Sequence, residues 1–411
     1  MVLKNAYFKG VLALMIFIIQ SYAFSQEVLS NYQLSFALKQ IQLEYLLANQ
    51  LDGQGVKIGV IDGGFLNADK DPQLAHLFKN DQIKGYRDFY SPSAPPFLGN
   101  KYQQDDHGTT VLRQIAGIDK AHEIILGAAS GASFYLARTD HGTRESRKEE
   151  QYLLEALHWM DSNGVKLVNI SLGYTEGYED PAENYSISEL DGKSTWLTGE
   201  INDFLANREM LLVVAAGNDG HTKWKTLSSP ADSRLVLSVG AVGYKVWRKA
   251  SFSSVGNNLA YIKPEVSCFA QLGTSFSAPV ITGLLACIWQ YSPTLTSKEL
   301  KSLLISSAHL FPYGNNYIGY GVPQCGGLFR QGEVNENRLK TVKSKRNKVN
   351  VEVSAEHNYC NVFHKKDQFR VDHQIICEKR GEEIVIRRPG KQIRFSTISC
   401  QEQAIEIEWT K

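Results

Sequence analysis

Gly273-Thr274-Ser275-Phe276-Ser277-Ala278-Pro279 is the stretch on which the fold turns. A flexible glycine and two small polar residues lead into Ala278-Pro279 and then the apolar run Ile281 to Trp289. Proline is tolerated in the first turn of a helix, where its missing N–H would have no partner anyway. The stretch therefore predicts a loop-to-helix junction that holds Ser275 at a helix N-terminus, where partial positive charge favours a developing anion. A serine there is ordinarily a helix cap, and Ser277 is a nearby alternative. Chemistry at Ser275 needs a base to take its proton.

Three further frames supply partners, in the chain order Asp, His, Asn, Ser over about two hundred residues. Val60-Ile61-Asp62-Gly63-Gly64 places a carboxylate at the end of a buried apolar run, before glycines that let the backbone turn and leave room for an imidazole. A turn-capping Asp is the ordinary reading of that residue alone. Asp106-His107-Gly108-Thr109 precedes Val111, Leu112, Ile115 and Ala116, a helical apolar stripe that would anchor the imidazole at the start of a core helix. His141-Gly142-Thr143 repeats the tripeptide, but Arg144, Glu145, Arg147 and Lys148 follow it and read as a solvated loop. Ala215-Ala216-Gly217-Asn218 ends another apolar run with an amide; the ordinary reading there is an Asn-Asp-Gly turn.

The runs Val56 to Ile61, Ala132 to Ala137, Val165 to Ile170, Leu211 to Ala216 and Leu235 to Val239 suit strands buried on both faces. Helical patterns at Glu149 to Asp161 and Leu197 to Asn207 alternate with them. This predicts an α/β fold with a parallel sheet and helices on both faces. Sites in such folds form outside the carboxyl ends of the strands.

With its four frames in this order, the chain resembles the subtilases, subtilisin-like serine peptidases, over about residues 52–310. The resemblance implies a subtilisin-like sheet and a secreted endopeptidase working through an acyl-enzyme: Asp62 orients, His107 shuttles the proton, Ser275 attacks and Asn218 donates to the oxyanion. It implies that Ser171, Leu172 and Gly173 pair with extended substrate backbone, and that Ala215, Ala216 and Gly217 line the primary specificity pocket. Small residues there leave room for a large apolar side chain. Gly63 stands where the family carries Thr or Ser, and Thr110 where it often carries a second histidine. The stretch from Glu265 to Gly273 is short for the family, and the lead segment is too short for its usual long propeptide. The alternative is a catalytically silent subtilase fold used for binding; a decayed enzyme, however, usually loses one of these residues.

The 411 residues carry 44 basic and 43 acidic side chains, so no bulk field argues for nucleic acid. Lys4 and Lys9, the apolar run Val11 to Ile19 and Ala23-Phe24-Ser25 read as a signal peptide over residues 1–25. The expected location is therefore outside the cytoplasm, extracellular, periplasmic or at the cell surface, with no membrane span after cleavage and a protein or peptide as substrate. Residues 26–51 form a lead segment with a helical pattern, Leu34, Leu38, Ile41 and Tyr45, expected on the outside of a catalytic domain at 52–330. Residues 331–349 read as a basic linker and 350–411 as a small β-rich module that needs a disulfide or docking for stability. Of six cysteines, Cys268, Cys287 and Cys325 fall before the linker and Cys360, Cys377 and Cys400 after it; their pairing stays open. No cofactor is expected; calcium often braces the family the chain resembles, so a structural calcium is the alternative, without a clear motif for it. The loop Asn67, Asp69, Asp71 reads as a polar surface loop rather than a calcium site. His357, Cys360, His364, His373 and Cys377 match no zinc-ligand spacing.

Overall fold

The computed structural model describes residues 32–98, 105–141, 145–244, 246–329, 339–353, 358–401 and 403–410. The signal-peptide reading of residues 1–25 falls outside them, as do His357 and Arg144.

Seven strands form one parallel sheet: β1 (Lys57–Asp62), β2 (Ile83–Asp88), β3 (Ser133–Arg138), β4 (Leu167–Ile170), β5 (Leu211–Ala215), β6 (Leu237–Val242) and β7 (Val266–Phe269). Their order across the sheet is β7-β6-β5-β4-β1-β3-β2. Period-two alternation sorts the side chains between two cores. Ile58 and Val60 of β1, Leu136 of β3 and Val213 of β5 face one layer. Ile61, Ala137 and Val214 face the other. Helices α3 (His107–Ala116), α6 (Ala278–Tyr291) and α7 (Ser297–Ser307) cover the first face, through residues such as Leu112, Leu284 and Leu304. Helices α4 (Arg147–Ser162) and α5 (Trp196–Leu205) cover the second, through Leu153, Leu157 and Ile201. Both faces are apolar because both are covered, which is why the strands read as unbroken apolar runs. Helix α4 starts at Ser146 with a capping box, in which Glu149 accepts the Ser146 N–H at 2.8 Å.

Two strands escaped the sequence reading. β2 carries Lys84 and Arg87, and β7 is only four residues long, so neither presents a long apolar run. The lead segment also departs from expectation. It forms two short helices, α1 (Phe36–Gln40) and α2 (Glu44–Ala48), separated by Gln42 at φ 59°. Leu38, Ile41, Leu43 and Leu46 are wholly buried in the main core, so the segment is part of the domain rather than packed on its outside.

The expected linker 331–349 does not extend that far. From Leu339 the chain is already strand: β8 (Leu339–Ser344) and β9 (Lys348–Glu352). With β10 (Tyr359–Lys365), β11 (Val371–Glu378), β12 (Glu383–Arg387), β13 (Phe395–Cys400) and β14 (Gln403–Trp409) they form a separate mostly-β module. One sheet has the order β8-β14-β13-β10-β11, and β9 pairs with β12. Of the lysines that suggested a linker, Lys340, Lys343 and Lys348 lie on exposed strand positions, where charge suits an edge, and Lys345 lies in the exposed bend between β8 and β9.

The module uses both anticipated supports. Cys360 and Cys400 form a disulfide between adjacent strands. Docking comes from Phe363 and Ala404, both fully buried in the main core. The His309 Nδ1 accepts the Val322 N–H at 2.8 Å, which leaves Nε2 protonated to donate to Ser399 Oγ at 3.0 Å. Asn316 reaches β11 through its Oδ1, which accepts the Val371 N–H at 2.9 Å.

Replacing Cys360 and Cys400 together by alanine opens a loop of 40 residues. The expected loss is about 2–4 kcal/mol, read as a lower melting temperature of the module. Cys377→Ser, which breaks no disulfide, leaves that transition nearly in place.

Candidate active site

The strand order reverses at β1, with β3 and β2 on one side and β4 to β7 on the other. The candidate residues gather outside the carboxyl ends of the strands at this point.

Asp62 is the last residue of β1 and has no exposed surface. Its Oδ1 lies 2.6 Å from His107 Nδ1 and accepts the Gly63 N–H at 2.8 Å. Its Oδ2 is buried and has no donor among the described residues; glycine at position 63 offers no hydroxyl. His107 opens α3. Burial opposes the charged imidazolium, but Asp62, with Asp140 and Asp106 beyond it, outweighs burial and raises the His107 pKa above its ordinary 6.5.

The approach of α3 to β1 depends on two glycines. A Cβ at Gly108 would sit 2.5 Å from the Gly64 carbonyl oxygen and 2.9 Å from the Asp62 Cβ. A Cβ at Gly64 would meet the Asp105 carbonyl oxygen at 2.5 Å. The Gly108 N–H donates to the Gly64 carbonyl at 2.8 Å, locking the two segments together.

Ser275 lies in a 3-10 turn, Thr274–Phe276, that leads into α6 with Pro279 in its first turn. The turn packs against α3, and the Phe276 ring centroid is 5.4 Å from that of His107. Ser275 is 8% exposed, and its hydroxyl donates to the Ser171 carbonyl at 3.1 Å. Among the described residues no hydrogen bond joins it to His107. Ser277 is fully buried and donates to the Thr274 carbonyl at 3.0 Å, a local turn-closing bond.

Thr274 couples two of the sequence frames. Its N–H donates to Asn218 Oδ1 at 2.9 Å, and its Oγ accepts the Gly217 N–H at 3.1 Å. With Oδ1 occupied, the amide nitrogen of the exposed Asn218 is the end left to donate elsewhere. Ala215 and Ala216 are buried at the end of β5, and Gly217 turns the chain at φ 105°. Leu172 and Gly173 lie beyond Ile170, the last paired residue of β4. The Ser171 hydroxyl accepts from Asn169 Nδ2 at 2.9 Å and donates to the Ser275 carbonyl at 3.0 Å.

Arg138 was not anticipated. It is 2% exposed at the end of β3, in register with Asp62. Its Nε donates to the Gly63 carbonyl at 2.9 Å, and its two terminal nitrogens reach Asp88 at 3.2 Å and Asp105 at 3.3 Å. One guanidinium thus ties the segment after Asp62 to the segment before His107. A fixed planar fork does this better than an ammonium.

Other candidates take structural partners. His141 is not in a solvated loop: its Nδ1 lies 2.9 Å from Glu149 Oε1, and it stacks on Tyr90 with centroids 4.6 Å apart. Asp71 of the carboxylate-rich loop is paired with Arg113. Cys360 is held in its disulfide, while His364 bonds Ser396 and His373 bonds Asp372.

A family model described as Subtilase family matches residues 53–321. Subtilisin DY of Bacillus licheniformis is 27% identical over 299 residues, covering 69% of this chain and 96% of that protein. Subtilisin NAT of Bacillus subtilis subsp. natto is 28% identical over 298 residues, covering 69% of each. Among solved structures, MycP1 from Mycobacterium smegmatis superposes with a TM-score of 0.52 at 21% identity, over 71% of this chain and 83% of that one. The MycP3 protease of the type VII (ESX-3) secretion system gives 0.54 at 18% identity, over 72% and 88%. The parallel sheet, the site at its strand ends and a match spanning most of the chain agree: this protein belongs to the subtilase family and is a serine-type endopeptidase.

Proposed function

We propose that the peptidase acts through Asp62, His107 and Ser275 in an acyl-enzyme mechanism, with Asn218 and the Ser275 N–H stabilising the oxyanion. The observation that carries this reading is the 2.6 Å contact between a fully buried carboxylate and His107 Nδ1. It sets the tautomer: Nδ1 holds the proton, so Nε2 is the basic nitrogen that faces substrate chemistry.

In the resting arrangement the Ser275 hydroxyl donates to Ser171. Rotation about its Cα–Cβ bond transfers that proton donation to His107, and catalytic bonds commonly tighten only once substrate is seated. The alkoxide equivalent attacks the scissile carbonyl, and His107 takes the proton. His107 then returns it to the leaving amine, and water repeats the sequence on the ester. The Ser275 N–H, in the turn before α6, donates to the developing oxyanion beside the Asn218 amide; the Thr274 N–H donates to Asn218 Oδ1, which supports the role of the amide nitrogen as donor. No cofactor takes part.

Substrate backbone pairs along Ser171, Leu172 and Gly173, and Ala215, Ala216 and Gly217 border the pocket for the residue preceding the cut, which favours a large apolar side chain. The protein is exported. Among the described residues no helix is long and apolar enough to cross a membrane.

A fluorophosphonate probe should label the wild type and leave Ser275→Ala unlabelled. Loss of peptide turnover in that variant should be on the order of 10⁶ in kcat, the size known for the nucleophile of subtilisin. Equal labelling of both proteins, or none of the wild type, would leave a silent binding fold. Asn218→Ala should lower kcat by about 10²–10³ with little change in KM, as for the equivalent donor of subtilisin.

The pH profile follows from His107. A raised pKa keeps the imidazole protonated to higher pH, and only the neutral form accepts the serine proton. kcat/KM should therefore fall on acidification with a midpoint above 6.5. Asp106→Asn removes one of the charges that favour imidazolium and should move that midpoint down; Asp106 makes no side-chain cap, so α3 is little disturbed.

A further inference from the structure

Beside the active site, between the end of β3 and the start of α4, lies a second cluster of ionisable groups, which bears on peptide hydrolysis only through the charge of Asp140 on His107. Asp140, His141, Glu149 and Glu150 are buried or nearly so, and Glu145 is half-buried. Glu150 is accounted for: Arg147 donates to it at 2.6 Å, and the hydroxyls of Tyr178 and Tyr185 bond it as well. Two of the remaining carboxylates, Asp140 and Glu149, gather at one imidazole. One donor atom each from Asp140, His141 and Glu149 lies within 4.8 Å of the others.

Two further observations point to a cation site. The Tyr174 hydroxyl is completely buried and has no hydrogen-bond partner, although it lies in the field of Asp140, Glu145 and Glu149. Glu145 Oε2 is likewise buried without a partner. The Tyr174 oxygen and Glu145 Oε2 are lone-pair oxygens that a small divalent cation can coordinate, and its charge relieves the crowding of the carboxylates.

We propose that Asp140, His141 and Glu149, with Glu145 and Tyr174 facing them, form a binding site for a divalent metal ion of the zinc class. The donor set selects the ion. Calcium takes six or more oxygens and is served by carboxylates and carbonyls, whereas one imidazole with two or three carboxylate oxygens suits four-coordinate zinc. The site would join three segments: the end of β3 through Asp140, the start of α4 through Glu149, and the strand exit through Tyr174, three residues after Ser171. Glu145 already connects to the last of these, since its carbonyl accepts the Glu179 N–H at 2.8 Å. The ion would brace the edge along which substrate is proposed to lie, without entering the hydrolytic step.

The test is zinc binding to the full chain, stripped with chelator and carrying no histidine tag. Calorimetry should find one zinc ion per chain, with a higher melting temperature when zinc is added. Asp140→Asn and Glu149→Gln, near-isosteric and lacking only charge, should each weaken binding at least about tenfold. Glu149→Gln retains an acceptor for the Ser146 N–H, so its melting temperature without zinc should not fall below that of the wild type, which shows that the variant is folded. His107→Ala should bind zinc as the wild type does, separating this site from the active-site histidine. No zinc uptake by the wild type, uptake unchanged in both cluster variants, uptake lost in His107→Ala, or calcium bound in preference to zinc would each overturn the proposal.

Discussion

The hydrogen bond between Asp62 and His107 is the constraint to which the rest of the fold answers. A carboxylate with no exposed surface is costly to bury, and the cost is met only when donors are held against it. Here they are the Gly63 N–H and the His107 ring. Neither residue is free to wander: Asp62 ends a central strand flanked on both sides, and His107 begins a helix whose apolar stripe is sunk in the core. The pair is 45 residues apart in sequence, so its geometry is set by how α3 lies against β1.

That packing is unusually close because side chains are absent where the segments meet. Gly64 and Gly108 bring backbone against backbone, and Arg138 holds the two chain segments from below with a single buried cation shared among a carbonyl and two carboxylates. An equivalent bracing operates around Ser275. Thr274 binds the Gly217-Asn218 turn, and Ser171 binds Ser275 through both its hydroxyl and its carbonyl. The serine, the amide and the strand exit after β4 therefore move as one unit. Local polar bonds between segments distant in sequence position the chemistry, while the two apolar layers supply the rigidity.

The same logic extends to the C-terminal module. Some seventy residues cannot bury much apolar surface alone. The module compensates with a cross-strand disulfide and by lending Phe363 and Ala404 to the larger core, so its stability and that of the peptidase domain are linked through His309, Asn316 and the contacts around them.

Much of this was legible in the sequence because the signals are local. A buried strand that ends in Asp-Gly-Gly, a histidine ahead of a helical stripe and a serine ahead of Ala-Pro and an apolar helix each declare their backbone setting within about ten residues, and the apolar runs between them announce a sheet covered on both faces. Tertiary structure decided what depends on register and proximity. Arg138 reads as an ordinary charged residue until strand pairing sets it opposite Asp62. The lead segment looks like a surface helix until Leu38, Ile41 and Leu46 are found in the core. Cys360 has Cys377 across one neighbouring strand and Cys400 near the end of the other, so spacing alone could not choose its partner. Glu145 looks solvated in a run of charges, yet its Oε2 is buried in the folded chain, and Glu149, read only as the start of a helix, comes to share a cluster with Asp140 and His141. Sequence specifies each segment's own conformation; burial and charge balance belong to the surroundings that other segments bring.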